Sequence, residues 1–277
     1  MLKKAYVEIT NRCNLSCAFC PKTARSPRSM SVEEFDLVLG KLGDAVQYVY
    51  LHVMGEPLGH AELGGILAAA AARGKKVCIT TNGTLLEKRC DVLLAAPTLH
   101  KVSVSLHSFE GNDLPESSQT AYLESVWRFA DRAAAQGIIV ALRLWNEGGM
   151  EERNGDILAF LRGKCPGEWP EGRDGSFRMR DHLYLERAQK FDWPDLAAEE
   201  SGTEFCYGLR DQIGILADGT VVPCCLDHEG DIALGNIFKM SLEEILESER
   251  ARALREGFSR RRPMEELCRR CGYAARF

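Results

Sequence analysis

Short apolar, β-branched runs recur along the first half of the chain: AYVEIT at 5–10, YVYLHV at 48–53, KVCIT at 76–80, KVSVSL at 101–106 and IIVALRL at 138–144. Such runs predict buried parallel strands. Helical patterns lie between them. One is opened by Ser31 with Glu34 three residues later; others fall near 61–73, near 84–95 and across 118–136. Strand then helix, repeated, predicts an α/β sheet or barrel. A sixth strand is expected in HLYLERA at 182–188, after a segment, 163–180, whose Gly, Pro and Arg content reads as a loop.

Beyond FDWPDL and the acidic AEES, which read as a linker, the pattern changes. QIGILADGTVVPCC predicts a β-hairpin, with Asp218-Gly219 at the turn between two apolar runs. SLEEILESERARALREGF predicts one helix, capped by Ser241 with Glu244 in the capping-box position. The organisation is therefore a β/α unit over 1–190 followed by a smaller module over 200–277.

The 277 residues are 45% hydrophobic and 27% charged, enough for one large core or a core plus a small module. No run approaches a membrane span, and MLKKAYVEIT lacks the apolar stretch of a signal peptide. A cytoplasmic protein is expected. The net charge of -5 argues against a dedicated nucleic-acid binder, although residues 250–277 carry nine Arg and three Glu. That basic end reads as a solvated helix face rather than a nucleic-acid platform, because no aromatic residues are interleaved.

Eleven cysteines in a reducing compartment call for metal or cluster ligation rather than disulfides. Cys78, Cys90, Cys165 and Cys225 fit no spacing and read as small buried thiols. Cys13, Cys17 and Cys20 are different: three thiols in eight positions directly after the first strand. A structural zinc site takes four ligands, whereas three thiolates on an iron-sulfur cube leave one iron open. In this the sequence resembles the radical SAM superfamily, whose hallmark is C-x3-C-x2-C with an aromatic residue before the last Cys, here Phe19. A zinc knuckle is the competing explanation of the three cysteines alone.

Further strand ends extend the resemblance. Met54-Gly55-Glu56-Pro57 is similar to the family's G-G-E segment, with Met54 in place of the first Gly, and implies that Gly55 and Glu56 hold the amino group of S-adenosylmethionine. Glu56 alone also reads as a carboxylate at a helix N-terminus beside Pro57. Thr80-Thr81-Asn82-Gly83 looks like the T-x-N-G turn, which brings in Asn82. Ser103-Val104-Ser105-Leu106-His107 is similar to V-S-L-D, so Ser105 is expected to reach the cofactor, with His107 where many members carry Asp. His107 reads as a hydrogen-bonded loop residue, or as a proton carrier. Arg143, inside LRLWN, is expected either to hold the methionine carboxylate or to sit in a structural ion pair.

Cys206, Gly219 and Cys224, with Cys268-x2-Cys271 near the end, resemble a SPASM domain in its shortened, Twitch form. The resemblance implies one auxiliary 4Fe-4S cluster on Cys206, Cys224, Cys268 and Cys271; a four-thiolate zinc site uses the same paired spacing. Cys225 is an alternative to Cys224. The fold implied is a partial (β/α)6 TIM-like barrel with a small C-terminal β-hairpin plus helix iron-sulfur domain. Two 4Fe-4S clusters and S-adenosylmethionine are the expected cofactors, with a flavodoxin- or ferredoxin-like electron donor.

The implied reaction is reductive cleavage of S-adenosylmethionine to a 5'-deoxyadenosyl radical, which removes a hydrogen atom from the substrate. The cysteine arrangement looks much like that of aminocyclitol dehydrogenases, which suggests two-electron oxidation of a small molecule. Peptide or protein maturation is the alternative, against which only about four residues precede the first strand. From another class, the chain would be a non-catalytic iron-sulfur or zinc-binding module.

Overall fold

The computed structural model describes residues 2–112, 114–173 and 175–276. A repeated strand-helix unit runs through β1 (Lys4–Val7), α1 (Val32–Leu42), β2 (Tyr48–Tyr50), α2 (Leu63–Ala72), β3 (Lys76–Thr81), α3 (Leu86–Leu94), β4 (Leu99–Ser105), α4 (Gln119–Ala135), β5 (Ile139–Glu147) and α5 (Asn154–Lys164). A short strand, β6 (Ser176–Arg180), precedes the sixth barrel strand, β7 (Leu183–Gln189). Then come β8 (Gln212–Ile215), β9 (Thr220–Val222), β10 (Gly235–Asn236), α6 (Leu242–Leu246), α7 (Glu249–Ser259) and α8 (Glu266–Arg269).

All ten strands form one sheet in the order β10-β9-β8-β1-β2-β3-β4-β5-β7-β6. Strands β1 to β5 and β7 are parallel neighbours, the partial TIM-like barrel expected. The hairpin of β8 and β9 is also present, and β8 adds to β1 in parallel register, Lys4 opposite Gln212. Its turn needs Gly219, at φ +85°, where a Cβ would stand 2.5 Å from the Phe238 ring.

Successive strand side chains point to opposite faces, and the two faces differ in chemistry. Val7, Val49, Ile79, Val104 and Leu142 point to the helices and join a continuous buried apolar cluster that also takes in Ile213, Ile245 and Phe258. Their alternates Tyr6, Tyr50, Thr80, Ser105 and Arg143 line a cavity on the inner face. Both capping boxes are formed: Ser31 with Glu34, and Ser241 with Glu244. Helix α1 buries Phe35, Val38, Leu39 and Leu42, a stripe at helical spacing.

Two local expectations change, and one helix appears that the pattern did not show. The segment 163–180 is not all loop, because α5 runs to Lys164 and β6 pairs antiparallel with β7. Helix α5 escapes the pattern because Gly155 and Gly163 lower its propensity and only Asn154, Ile157 and Leu161 are buried. SLEEILESERARALREGF forms two helices, since Ser248 caps a second start by accepting from the Ala251 amide at 3.3 Å. Among the described residues no helix is long and apolar enough to cross a membrane.

Ser31→Ala removes one half of the α1 capping box and is expected to lower the unfolding free energy by about 1 kcal/mol, read from urea denaturation.

Candidate functional site

The cysteine loop leaves β1 and is held from three sides. From one side, Gly111 O accepts from Ala18 N at 2.7 Å, and Asn112 Oδ1 accepts from Ser16 N at 2.7 Å. The Asn112 amide then donates to Cys17 Sγ at 3.0 Å and to Ser108 O at 2.7 Å. Cys13 Sγ accepts from Leu15 N and Cys20 Sγ from Lys22 N, each at 3.4 Å. From the second side, Glu56 N donates to Arg12 O at 2.9 Å. Only a glycine permits this approach: Gly55 has φ +79°, and a Cβ there would stand 2.3 Å from Thr10 O.

The third hold is Glu8, a charged residue inside the apolar run AYVEIT and fully buried. Its carboxylate meets the Arg25 guanidinium in a two-pronged pair, 2.8 Å to Oε1 and 2.7 Å to Oε2. It also accepts from Met54 N at 3.0 Å and Ala217 N at 3.1 Å. All four acceptor positions of the carboxylate are thus used. Arg25 Nε continues to His228 O at 2.7 Å. One side chain therefore joins β1, the cysteine loop, the segment before Gly55 and the turn of the C-terminal hairpin.

Cys13, Cys17 and Cys20 line a cavity of about 490 Å³ together with Gly55, Glu56, Asn82, Ser105 and Arg143. Phe19 is not on that wall; its ring packs on Gly111 and lies 4.9 Å from the His107 ring. Glu56 is deeply engaged, with Oε1 accepting from Leu58 N and Thr81 Oγ1 and Oε2 from Asn82 N. Burial raises its pKa against the opposing pull of those bonds. Its capping role at the short turn after Pro57 is therefore present as well as its place on the cavity wall. Asn82 reaches back to Asn14 Oδ1 at 3.0 Å and toward Cys13 Sγ at 3.9 Å.

Arg143 makes the structural ion pair, with Nε 2.7 Å from Glu186 Oε2, and its guanidinium lies 4.4 Å from the Trp145 ring centroid. Burial raises the Glu186 carboxyl, but Arg143 and Lys101 outweigh it and hold it below the ordinary range. His107 Nδ1 lies 3.2 Å from Arg143 O and 3.4 Å from Trp145 N. Burial, the largest cause, lowers its pKa to about 4. The ring is a neutral, hydrogen-bonded residue at physiological pH.

Cys206, Cys224, Cys268 and Cys271 line a second cavity, about 280 Å³. Burial pushes all four thiols up, and nearby thiols push Cys206, Cys224 and Cys268 further. The four sulfurs surround one space; among the described residues no three His, Cys, Asp or Glu side chains converge on a single-ion site. Buried thiols that repel one another as anions suit a metal centre, iron-sulfur and zinc alike, because a bound cation deprotonates its thiol ligands. Cys225 lines both cavities, as do Tyr6, Leu226 and Tyr273, so this four-residue wall separates them. Around the second cavity the basic C-terminal end is neutralised locally: Arg250, Arg255, Arg260, Arg261, Arg269 and Arg270 each pair with a glutamate.

The radical SAM superfamily profile matches residues 7–153, more than half of the chain. The chain belongs to the radical SAM superfamily. An iron-sulfur cluster-binding SPASM domain matches residues 206–272. A probable GTP 3',8-cyclase of Methanosarcina mazei is 27% identical over 93% of this chain and 85% of its own. The subtilosin biosynthesis protein AlbA of Bacillus subtilis is 26% identical over 88% of this chain and 59% of its own. A crystal structure of BtrN with AdoMet and 2-DOIA shares the fold, with a TM-score of 0.60 at 18% identity over 98% of this chain and 93% of that one. This radical SAM enzyme thus belongs to a family that carries a 4Fe-4S cluster and S-adenosylmethionine, with an iron-sulfur cluster in the SPASM domain.

Glu8, Arg25, Asn112 and His52 are absent from the residues the motifs suggest. Only Glu8 carried a signal, a carboxylate in an otherwise apolar strand, which requires a buried partner.

Glu8→Ala leaves Arg25 without its partner and frees two backbone amides; a loss of about 3–5 kcal/mol in urea denaturation is expected. Glu8→Gln is expected to fail too, since its amide would bring donors to Met54 N or Ala217 N.

A pH prediction follows from two histidines of the cavity wall, His52 and His107. His52 is lowered to about 3 by burial first and then by Arg143, and His107 to about 4. The unfolded chain titrates these rings near 6.5, so between roughly pH 6.5 and 4 it binds protons that the folded state refuses. Stability from both groups is present above that window and falls as pH drops through it. His107→Phe is expected to flatten the fall in thermal midpoint between pH 7 and 5.

Proposed function

We propose that this enzyme oxidises a small molecule by two electrons, with Cys13, Cys17 and Cys20 holding the cluster that binds S-adenosylmethionine and Cys206, Cys224, Cys268 and Cys271 holding an auxiliary 4Fe-4S cluster. When bound and reduced by an external one-electron donor, the first cluster and S-adenosylmethionine would supply a 5'-deoxyadenosyl radical that takes one hydrogen atom from the substrate, and the auxiliary cluster would take the second electron as the substrate loses a proton. The observation carrying the reading is the shared wall of Tyr6, Cys225, Leu226 and Tyr273, which lines both cavities and puts the second set of thiols one residue layer from the first site.

The chain's own groups have distinct tasks. Amide donors from Asn112, Leu15 and Lys22 aim the three thiols of the cysteine loop. Gly55 brings backbone to the cavity, while Ser105 and Arg143 offer a hydroxyl and a cation on the wall to the amino-acid and ribose parts of S-adenosylmethionine. Arg143 is already oriented for this by Glu186 and Trp145.

A second reading, peptide maturation, is favoured by the AlbA match across 88% of the chain. The two readings differ in the size of substrate and share the same cofactor chemistry.

Anaerobic reconstitution is expected to yield about eight iron atoms per chain, and dithionite to release 5'-deoxyadenosine. Cys17→Ala should abolish that release, whereas Cys268→Ala should retain part of it and lose turnover. Zinc in place of iron, or full cleavage by Cys17→Ala, would overturn the assignment.

A further inference from the structure

The strap that leads from β7 to β8, residues 190–211, contains no helix and no strand of the sheet. Its middle is held by the cysteine turn near the other end of the chain. Ser201 N donates to Arg269 O at 2.7 Å, and Ser201 Oγ lies 2.9 Å from Arg269 O and 3.2 Å from Cys271 O. Thr203 Oγ1 donates to Cys271 O at 3.3 Å. From the turn, Arg270 donates to Ala198 O, and Arg269 Nε pairs with Glu200 Oε1 at 2.9 Å.

Gly272 follows the last cysteine directly and presses on the same strap. A Cβ there would stand 2.8 Å from Asp192 O and 3.2 Å from Asp192 N. Its backbone lies outside the left-handed region, so the glycine serves close approach rather than conformation. The residues on either side of Asp192 are aromatic. Phe191 and Trp193 both pack on Leu226, Cys271 and Ala274, and the Phe191 ring lies 5.5 Å from Trp193 and 5.0 Å, edge-on, from Tyr273. Both rings line the inner cavity, whereas Pro194 and Thr203 of the same strap line the cavity of the four thiols.

The turn that carries this load has little hold of its own. Helix α8, which contains Cys268, has four residues and no side-chain cap. A metal centre on Cys206, Cys224, Cys268 and Cys271 joins the turn to the hairpin, and its binding free energy then becomes folding free energy for whatever rests on the turn. The strap rests there. The cysteine loop on the opposite side of the inner cavity is held instead by Asn112 and Glu8.

We propose that the auxiliary centre positions the substrate: loading its four cysteines pins residues 191–203 through Gly272 and Ser201, and this sets Phe191 and Trp193 as the substrate-facing wall of the inner cavity. This rests on the reading above that the four cysteines hold one cluster and that S-adenosylmethionine takes the cysteine-loop side. The centre thereby has a task besides accepting an electron. Gly272 and Ser201 are positioning residues, since neither lines either cavity.

Hydrogen-deuterium exchange of the anaerobically reconstituted protein reads the strap directly, with iron counted on each sample. Wild type, with about eight irons, is expected to protect residues 191–203, and Cys268→Ala, with about four, to exchange them at least about tenfold faster while α4 keeps its wild-type rate. Cys268→Ser covers a folding failure of Cys268→Ala. Gly272→Ala keeps every cysteine. It should retain about eight irons, release 5'-deoxyadenosine with dithionite at the wild-type rate, and still exchange 191–203 at least about tenfold faster. That combination separates positioning from electron transfer, because the cluster is present and only the wall has moved. Strap exchange that is unchanged in Gly272→Ala or in the cluster-deficient variants, or a rise shared equally by α4, overturns the proposal. Iron for a single cluster in wild type overturns the cluster reading and the proposal with it, and the iron count tells that failure from the others.

Discussion

Everything at the site hangs on a carboxylate with no room for error. Glu8 is fully buried on the first strand, and its four acceptor positions are spent on Arg25, Met54 and Ala217. An unpaired carboxylate at that depth would cost several kcal/mol, so the four contacts form together or the loops do not settle. The geometry of the cysteine loop is consequently tied to the Gly55 turn and to the C-terminal hairpin by one group. Gly55 completes the arrangement, because the backbone at Thr10 and Arg12 leaves no space for a side chain.

The sheet has a division of labour along each strand. One register of alternate residues builds the apolar layer under the helices, and the other presents tyrosines, a serine, a threonine and an arginine to the cavity. Function is therefore written in the positions that interrupt the apolar pattern. Arg143 illustrates the economy of this design: its pair with Glu186 fixes the guanidinium, and its stacking on Trp145 directs it, while it remains part of the wall.

Much of this was readable from the chain. Six β/α strands, both capping boxes and the Asp218-Gly219 hairpin followed from periodicity and turn chemistry. Spaced cysteines and short strand-end motifs named part of the cavity wall and missed aromatic members such as Tyr6, Tyr50 and Trp193. What stayed hidden depends on distant partners. Glu8 and Ala217 are 209 positions apart, and Asn112 and Cys17 are 95 apart, so no local pattern links them. Phe19 fits the aromatic position of its motif, yet packs beneath the loop against Gly111 instead of facing the cavity. The division of α6 from α7 at Ser248 was hidden for another reason: the residues on both sides favour a helix, and a single serine capping a second start decides the break.

The pairing of β8 with β1 also sets an order of events during synthesis. Lys4 meets Gln212 and Val7 meets Ile215, so one side of the first strand stays open until residues 212–215 have left the ribosome. Until then β1 is an exposed parallel edge, available to any strand that arrives early. The buried Glu8 carboxylate ties that edge to its register: with β8 in place the Ala217 amide fills its fourth acceptor position, and a pairing that brings no amide there leaves the acceptor stranded.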